Sequence, residues 1–210
     1  MTTGARDTSG AKAAAVTGTR GGLLLAPGAG AGRNHPTLVA LDDALTPLGW
    51  IVGRMDFPFR QAGRRSPDRP AVLLSAVRQE AAGVAERSGL KPGRVALGGR
   101  SMGGRMCSMA VADGLPAMAL VLISYPLHPP GRPERQRTEH FARLGCPCLF
   151  VSGTRDAFGS PAELEAATAA IPGAVSYVWL DGGDHGLRRR DPEVVAAVSP
   201  WLSGLRSPRR

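Results

Sequence analysis

Lysine is almost missing from this 210-residue chain: of its 26 Lys and Arg residues only Lys12 and Lys91 are lysine. Set against 17 Asp and Glu, the basic residues leave a formal charge of +9. A nucleic-acid-binding chain gathers such charge on one helix or patch. Here arginine is spread from Arg6 to Arg210, and Arg188–Arg190 is the nearest thing to a cluster, so nucleic acid is not an expected partner. Beside 28 Gly and 18 Pro, the preference for arginine reads as base composition of the gene rather than as a selected charge.

Long apolar runs are also lacking. The longest, Ala117–Ile123, is far short of the roughly 20 residues that a membrane-spanning helix needs. The first 22 residues hold no apolar stretch of the kind that directs secretion, so a cytoplasmic protein without a membrane partner is expected. Cysteine is scarce: the three residues cannot all pair, none has the spacing of a zinc site, and free thiols in a reducing compartment are expected. Aromatic residues make up only 5%, yet 43% hydrophobic and 20% charged residues are the balance of one globular domain.

Short apolar runs alternate with helix-periodic stretches. Strands are expected at Gly22–Ala26, Trp50–Phe57, Arg94–Leu97, Ala117–Ser124, Pro147–Ser152 and Val175–Leu180, with a weak one at Ala11–Val16. Helices are expected at His35–Leu48, Pro70–Ser88, Met102 to about Asp113, Glu134–Leu144, Ser160–Ile171 and Pro192–Leu202. Ser160 is placed as an N-cap, Asp191 stands at the cap position of the last helix, and His140 falls in mid-helix, facing solvent. Strands apolar on both faces and alternating with helices imply a parallel sheet covered on both sides. The expected architecture is an α/β, three-layer α/β/α sandwich with a mostly parallel sheet of about six to seven strands. Residues 1–21 read as a weakly structured segment, 22–204 as the domain and 205–210 as a frayed tail.

Ligands of such a sheet bind beyond the carboxyl ends of its strands. After the third strand stands Gly99-Arg100-Ser101-Met102-Gly103, a G-x-S-x-G sequence between an apolar strand and a helix-compatible MCSMAVAD. A serine on a tight strand-to-helix turn needs small neighbours, and its hydroxyl needs a base and an acid to orient that base. Gly153-Thr154-Arg155-Asp156 follows the fifth strand and Asp181-Gly182-Gly183-Asp184-His185 the sixth. Ser101, Asp156 and His185 therefore fall at one sheet edge in the order nucleophile, acid, base. Asp184 competes with Asp156, but as the sequence neighbour of His185 it is poorly placed to reach the ring. The amides of Met102, at a helix N-terminus, and Ala29, in PGAGAG after the first strand, are the expected oxyanion donors, with Gly30 the lesser choice.

LLLAPGAGAG, GRSMGG, FVSGTRD and GGDHG together resemble the α/β-hydrolase superfamily, in its small, cap-poor, dienelactone-hydrolase-like branch, over roughly Gly22 to Leu202. YPLHPPGRPER is further similar to a group of small α/β-hydrolase-like proteins with relatives in chromatin complexes. The resemblance implies an eight-stranded sheet, reduced here at its N-terminal strands, and hydrolysis through an acyl-serine with neither metal nor cofactor. Two residues depart from it. Pro27 stands where the family has histidine before the first oxyanion glycine, and Ser101 replaces the cysteine nucleophile of dienelactone hydrolases proper.

The expected function is thus a serine hydrolase acting on a small acyl substrate, an ester, thioester or amide. The alternative is a catalytically silent interaction module of the same fold, since fold does not fix function. His35 and His128 lie on carboxyl-end loops and could face substrate, although an imidazole bonded to loop backbone is the plainer reading. Arg100 could attract a carboxylate, or simply be exposed, and Asp56 reads as a cap or turn residue. Dinucleotide binding by GAGAG fails because the third glycine of its motif would fall at Arg33.

Overall fold

The computed structural model describes residues 19–205. Six strands, β1 (Gly21–Ala26), β2 (Trp50–Arg54), β3 (Val95–Arg100), β4 (Leu120–Ile123), β5 (Cys148–Gly153) and β6 (Val175–Leu180), form one sheet in the order β2-β1-β3-β4-β5-β6. Every adjacent pair is parallel. The expected strand at Ala11–Val16 lies outside the described residues.

Alternation along the strands builds the two outer layers. Leu24 and Ala26 of β1 join a core with α3 (Pro70–Ser88), α4 (Met102–Ala112) and α5 (Pro161–Thr168). Leu23 and Leu25 point the other way, into a core with α1 (Pro36–Leu45) and α6 (Asp191–Gly204). All six residues of β1, β3 and β5 are buried, as strands covered on both faces require. The result is the expected three-layer α/β/α sandwich.

Several boundaries depart from expectation. β2 ends at Arg54, and Phe57 and Phe59 instead fold into the core around a one-turn helix, α2 (Pro58–Gln61). The helix expected at Glu134–Leu144 is absent apart from a 3-10 turn at Phe141–Arg143. The stretch carries no apolar stripe, and the Tyr125 hydroxyl donating to the Arg137 carbonyl, with the Arg137 amide donating to Leu127, pins it as a loop. His140 is consequently buried rather than solvated: its Nε2 lies 2.8 Å from Ser108 Oγ. Ser108 donates to the Arg105 carbonyl, so the imidazole N–H is the donor to Ser108. Burial and the field of Arg105 lower the His140 pKa to about 4. Ser160 does cap α5, in a reciprocal box with Glu163, whereas Asp191 is the first residue of α6, not its cap. Its carboxylate accepts the Thr37 hydroxyl at 2.6 Å, tying α6 to the start of α1.

The chain leaves β1 toward β2 on one side and enters β3 on the other side of β1, so β1 and β3 flank the switch point of the sheet. In sheets of this kind the crevice opens there.

Candidate active site

Residues at the carboxyl ends of β1 and β3 line that crevice. β3 runs into α4 through Ser101, which adopts φ 52° and ψ −121°. A non-glycine residue in this region stores strain that only tight surroundings maintain. Here the surroundings are two glycines: a Cβ on Gly99 or on Gly103 would collide with the Ala26 carbonyl oxygen of the neighbouring strand. The turn is thus pressed against β1, and Ser101 Oγ is lifted out of the sheet edge.

The loops after β5 and β6 are tied to each other. The Thr154 amide donates to Leu180 and the Arg155 amide to Gly183, while Gly153 packs so closely on the Gly183 carbonyl that it cannot carry a side chain. This pairing brings Asp156 beneath His185. His185 Nδ1 lies 2.9 Å from Asp156 Oδ2 and 3.0 Å from Oδ1, and the Asp156 side chain is fully buried. On the other side of the ring, Nε2 stands 2.8 Å from Ser101 Oγ. Since a carboxylate can only accept, Nδ1 carries the proton and Nε2 presents its lone pair to the serine hydroxyl. Asp156 is held in turn by the Phe158 amide at 2.8 Å, and the Phe158 ring stacks on the imidazole with centroids 4.0 Å apart. Asp184 is engaged elsewhere, accepting from the Leu187 amide.

The structure brings Ser101, Asp156 and His185 into one chain of contacts. Ala29 and Met102 sit with Ser101 on the wall of a cavity of about 360 Å³, and neither of their amides has a partner among the described residues. Gly30 and His35 line an adjoining cavity of about 450 Å³ that also contains His185. His35 Nδ1 accepts the Thr37 amide at 3.3 Å and caps α1, while burial and the charge of Arg100 lower its pKa. His128 lines neither cavity. It is buried, donates from Nδ1 to the Pro129 carbonyl at 2.9 Å, and has Nε2 3.5 Å from Glu163. Of the loop glycines, Gly30 has open space around it, whereas Gly32 is packed against Asp56, whose carboxylate accepts the Arg33 amide at 2.7 Å. Asp56 is therefore the latch of the glycine-rich loop.

Arg100 is not exposed to bulk solvent, yet it lines the larger cavity beside His35 and His185. It is 9% exposed and donates to the backbone carbonyl of His185. Burial lowers its pKa, opposed by the fields of Asp156, Asp184 and Asp191. Phe158, Arg105, Pro126 and Arg137 complete the first cavity and were not singled out from sequence. Arg105 was within reach of sequence reasoning, because residues four apart share a helix face and it follows Ser101 by four. Arg137 was not, since only the tertiary path of the loop after β4 brings it there.

Comparison with known proteins follows the same lines. A family model described as an alpha/beta hydrolase domain matches residues 19–197. The chain is similar to an alpha-beta serine hydrolase homologue from Coxiella burnetii, with 19% identity, a TM-score of 0.72, and coverage of 88% of this chain and 86% of the other. A dienelactone hydrolase from Anabaena variabilis matches at 20% identity and TM-score 0.68, over 90% and 86% of the two chains. In sequence, 62 residues are 36% identical to a pimeloyl-[acyl-carrier protein] methyl ester esterase of Stenotrophomonas maltophilia. That match spans 30% of this chain and about a quarter (24%) of the esterase.

Proposed function

The chain belongs to the alpha/beta hydrolase domain family, and from that premise we propose that it is a serine hydrolase cleaving carboxylic esters, with thioesters or amides as related substrates, through an acyl-serine intermediate. The 2.8 Å separation of Ser101 Oγ and His185 Nε2 carries this proposal, because it gives the hydroxyl a base within proton-transfer range. The esterase similarity supports an ester as the bond cleaved.

In the first half-reaction Ser101 Oγ attacks the substrate carbonyl carbon and its proton passes to His185 Nε2. Asp156 fixes the tautomer and stabilises the imidazolium that forms. The carbonyl oxygen becomes an oxyanion, to which the amides of Met102 and Ala29 donate hydrogen bonds, the former aided by the positive end of α4. The tetrahedral adduct then collapses, the carbonyl–oxygen bond to the alcohol breaks, and His185 returns the proton to the leaving alkoxide. In the second half-reaction a water gives its proton to His185 and attacks the acyl-serine, releasing the acid and restoring Ser101.

A fluorophosphonate probe tests the proposal. Wild-type protein should be labelled on Ser101, and Ser101→Ala should remain folded and unlabelled. Well-folded wild-type protein that resists labelling and turns over no short-chain ester would overturn it in favour of an interaction module.

A further inference from the structure

Two cavities meet at Ser101 and share Ala29 and Phe158; the larger also carries Arg100, held by the His185 carbonyl, and Arg188, but the position of His185 is what assigns them. The 450 Å³ cavity contains His185, the group that must hand a proton to the departing alcohol. The 360 Å³ cavity contains Ala29, Ser101 and Met102 but not His185. A leaving group has to depart on the side of the acid that protonates it. The acyl part of the substrate is therefore left to the second cavity, on the α4 side.

That acyl cavity has an unusual wall. Pro126, Phe158 and Met102 make it apolar, yet two of its lining residues are charged, and both are cations: Arg105 and Arg137. Arg105 follows Ser101 by one helical turn, its amide donating to the Ser101 carbonyl, so both side chains rise from the same face of α4. The Arg105 guanidinium has no hydrogen-bond or ion-pair partner among the described residues, and its Nε is buried without one. Arg137 spends a single donor, on the Pro126 carbonyl at 3.2 Å. Glu139 is the one carboxylate lining the adjoining hollow, which Arg105, Arg135 and Arg137 share, and among the described residues it forms an ion pair with none of them. Burial and the fields of Arg105 and Arg135 lower the Arg137 pKa, opposed by Tyr125 and by the field of Glu139. Two half-buried guanidiniums held together beside an apolar pocket cost stability unless an anion joins them.

We propose that the acyl cavity takes a chain ending in a carboxylate, so that the substrates are monoesters of short dicarboxylic acids, with the free carboxylate bound between Arg105 and Arg137. The inference rests on the serine hydrolase reading for its catalytic step, but the anion site itself is independent of it. Guanidinium forks suit a carboxylate because they offer paired donors in its own geometry. The cavity volume, near the small end of ligand sites, restricts the acyl chain to a short one.

The test compares monomethyl adipate with methyl hexanoate, which differ by one terminal carboxylate, by release of methanol. Wild-type protein should favour the anionic ester in kcat/KM by about tenfold or more, in line with a charged hydrogen bond formed in the site. Arg105→Gln and Arg137→Gln should each collapse that ratio toward one, Arg105→Lys should retain part of it, and Arg64→Gln, outside the cavity, should leave it unchanged. Hydrolysis of both esters at equal rates would overturn the anion site while leaving the hydrolase reading intact. If neither ester is hydrolysed, calorimetric titration of Ser101→Ala with monomethyl adipate decides: binding that is lost with Arg105→Gln upholds the site, and no binding overturns it.

Discussion

Nε2 of His185 stands 2.8 Å from Oγ of Ser101 although 84 residues separate the two along the chain. Neither residue is carried there by its own side chain's reach. The serine is raised by a strained turn wedged against β1, and the histidine is set by a loop that is bonded to its neighbour and to Arg100. Substitutions at the supports should therefore act on chemistry as well as on stability.

Asp156→Asn should leave the fold intact and lower kcat by about three to four orders of magnitude, because the amide no longer selects the Nδ1-protonated ring. Steady-state kinetics on a short-chain ester, with circular dichroism as the control, measures this. A loss below tenfold would show that Asp156 is dispensable for orienting the base.

Gly103→Ala should destabilise the protein by about 1–3 kcal/mol, the usual range for overpacking, despite the better helix propensity of alanine. Its Cβ would meet the Ala26 carbonyl, which belongs to a central strand and cannot retreat. Gly30→Ala, with open space at that position, should be close to neutral. Urea denaturation of the two variants side by side measures the contrast.

Arg100→Met should lower kcat by about ten- to a hundredfold, since His185 loses its backbone tether, with a smaller change in KM from the altered wall of the larger cavity. A change confined to KM would instead mean that Arg100 contacts substrate directly.

Acid should weaken the fold through His140. Its folded pKa of about 4 lies below the ordinary 6.5, so the unfolded chain is the form that gains a proton first. Stability from this residue is whole above about pH 6.5, declines as pH falls toward 4, and is then fully lost, at a cost of about 2–3 kcal/mol. Urea denaturation at pH 7, 5.5 and 4.5 should show that slope, and His140→Gln should flatten it.

Much of the site was legible because its chemistry sits on short sequence signals directly after strands. GRSMGG, GTRD and GGDHG each declare a residue type at a place where parallel sheets open, and the sheet then does the convergence. Ser160 was legible as a cap for the same local reason. His140 and the stretch from Glu134 to Leu144 were not: that segment has helix-compatible residues, but the Tyr125 and Leu127 contacts that hold it as a loop are tertiary. For Arg100 the sequence left exposure and a carboxylate-facing role both open; its burial is made tolerable by the His185 carbonyl, brought from a distant loop, and by the fields of Asp156, Asp184 and Asp191. The cationic pair at the proposed acyl cavity combines both situations: helix periodicity from Ser101 reaches Arg105, although the sequence reading did not single it out, and an irregular loop delivers Arg137.

The clasp between the β5 and β6 loops has one more consequence. Asp156 and His185 come from consecutive strands whose turns are stitched together, so the half that handles protons in the proposed mechanism is a local cassette of 29 residues' separation. The alcohol arrives from another part of the sheet altogether. The two parts meet at two joints, the contact of the Ser101 oxygen with the His185 ring and the Arg100 donation to the His185 carbonyl. Under the proposed mechanism the attacking atom can therefore be exchanged without rebuilding the pair of side chains behind it.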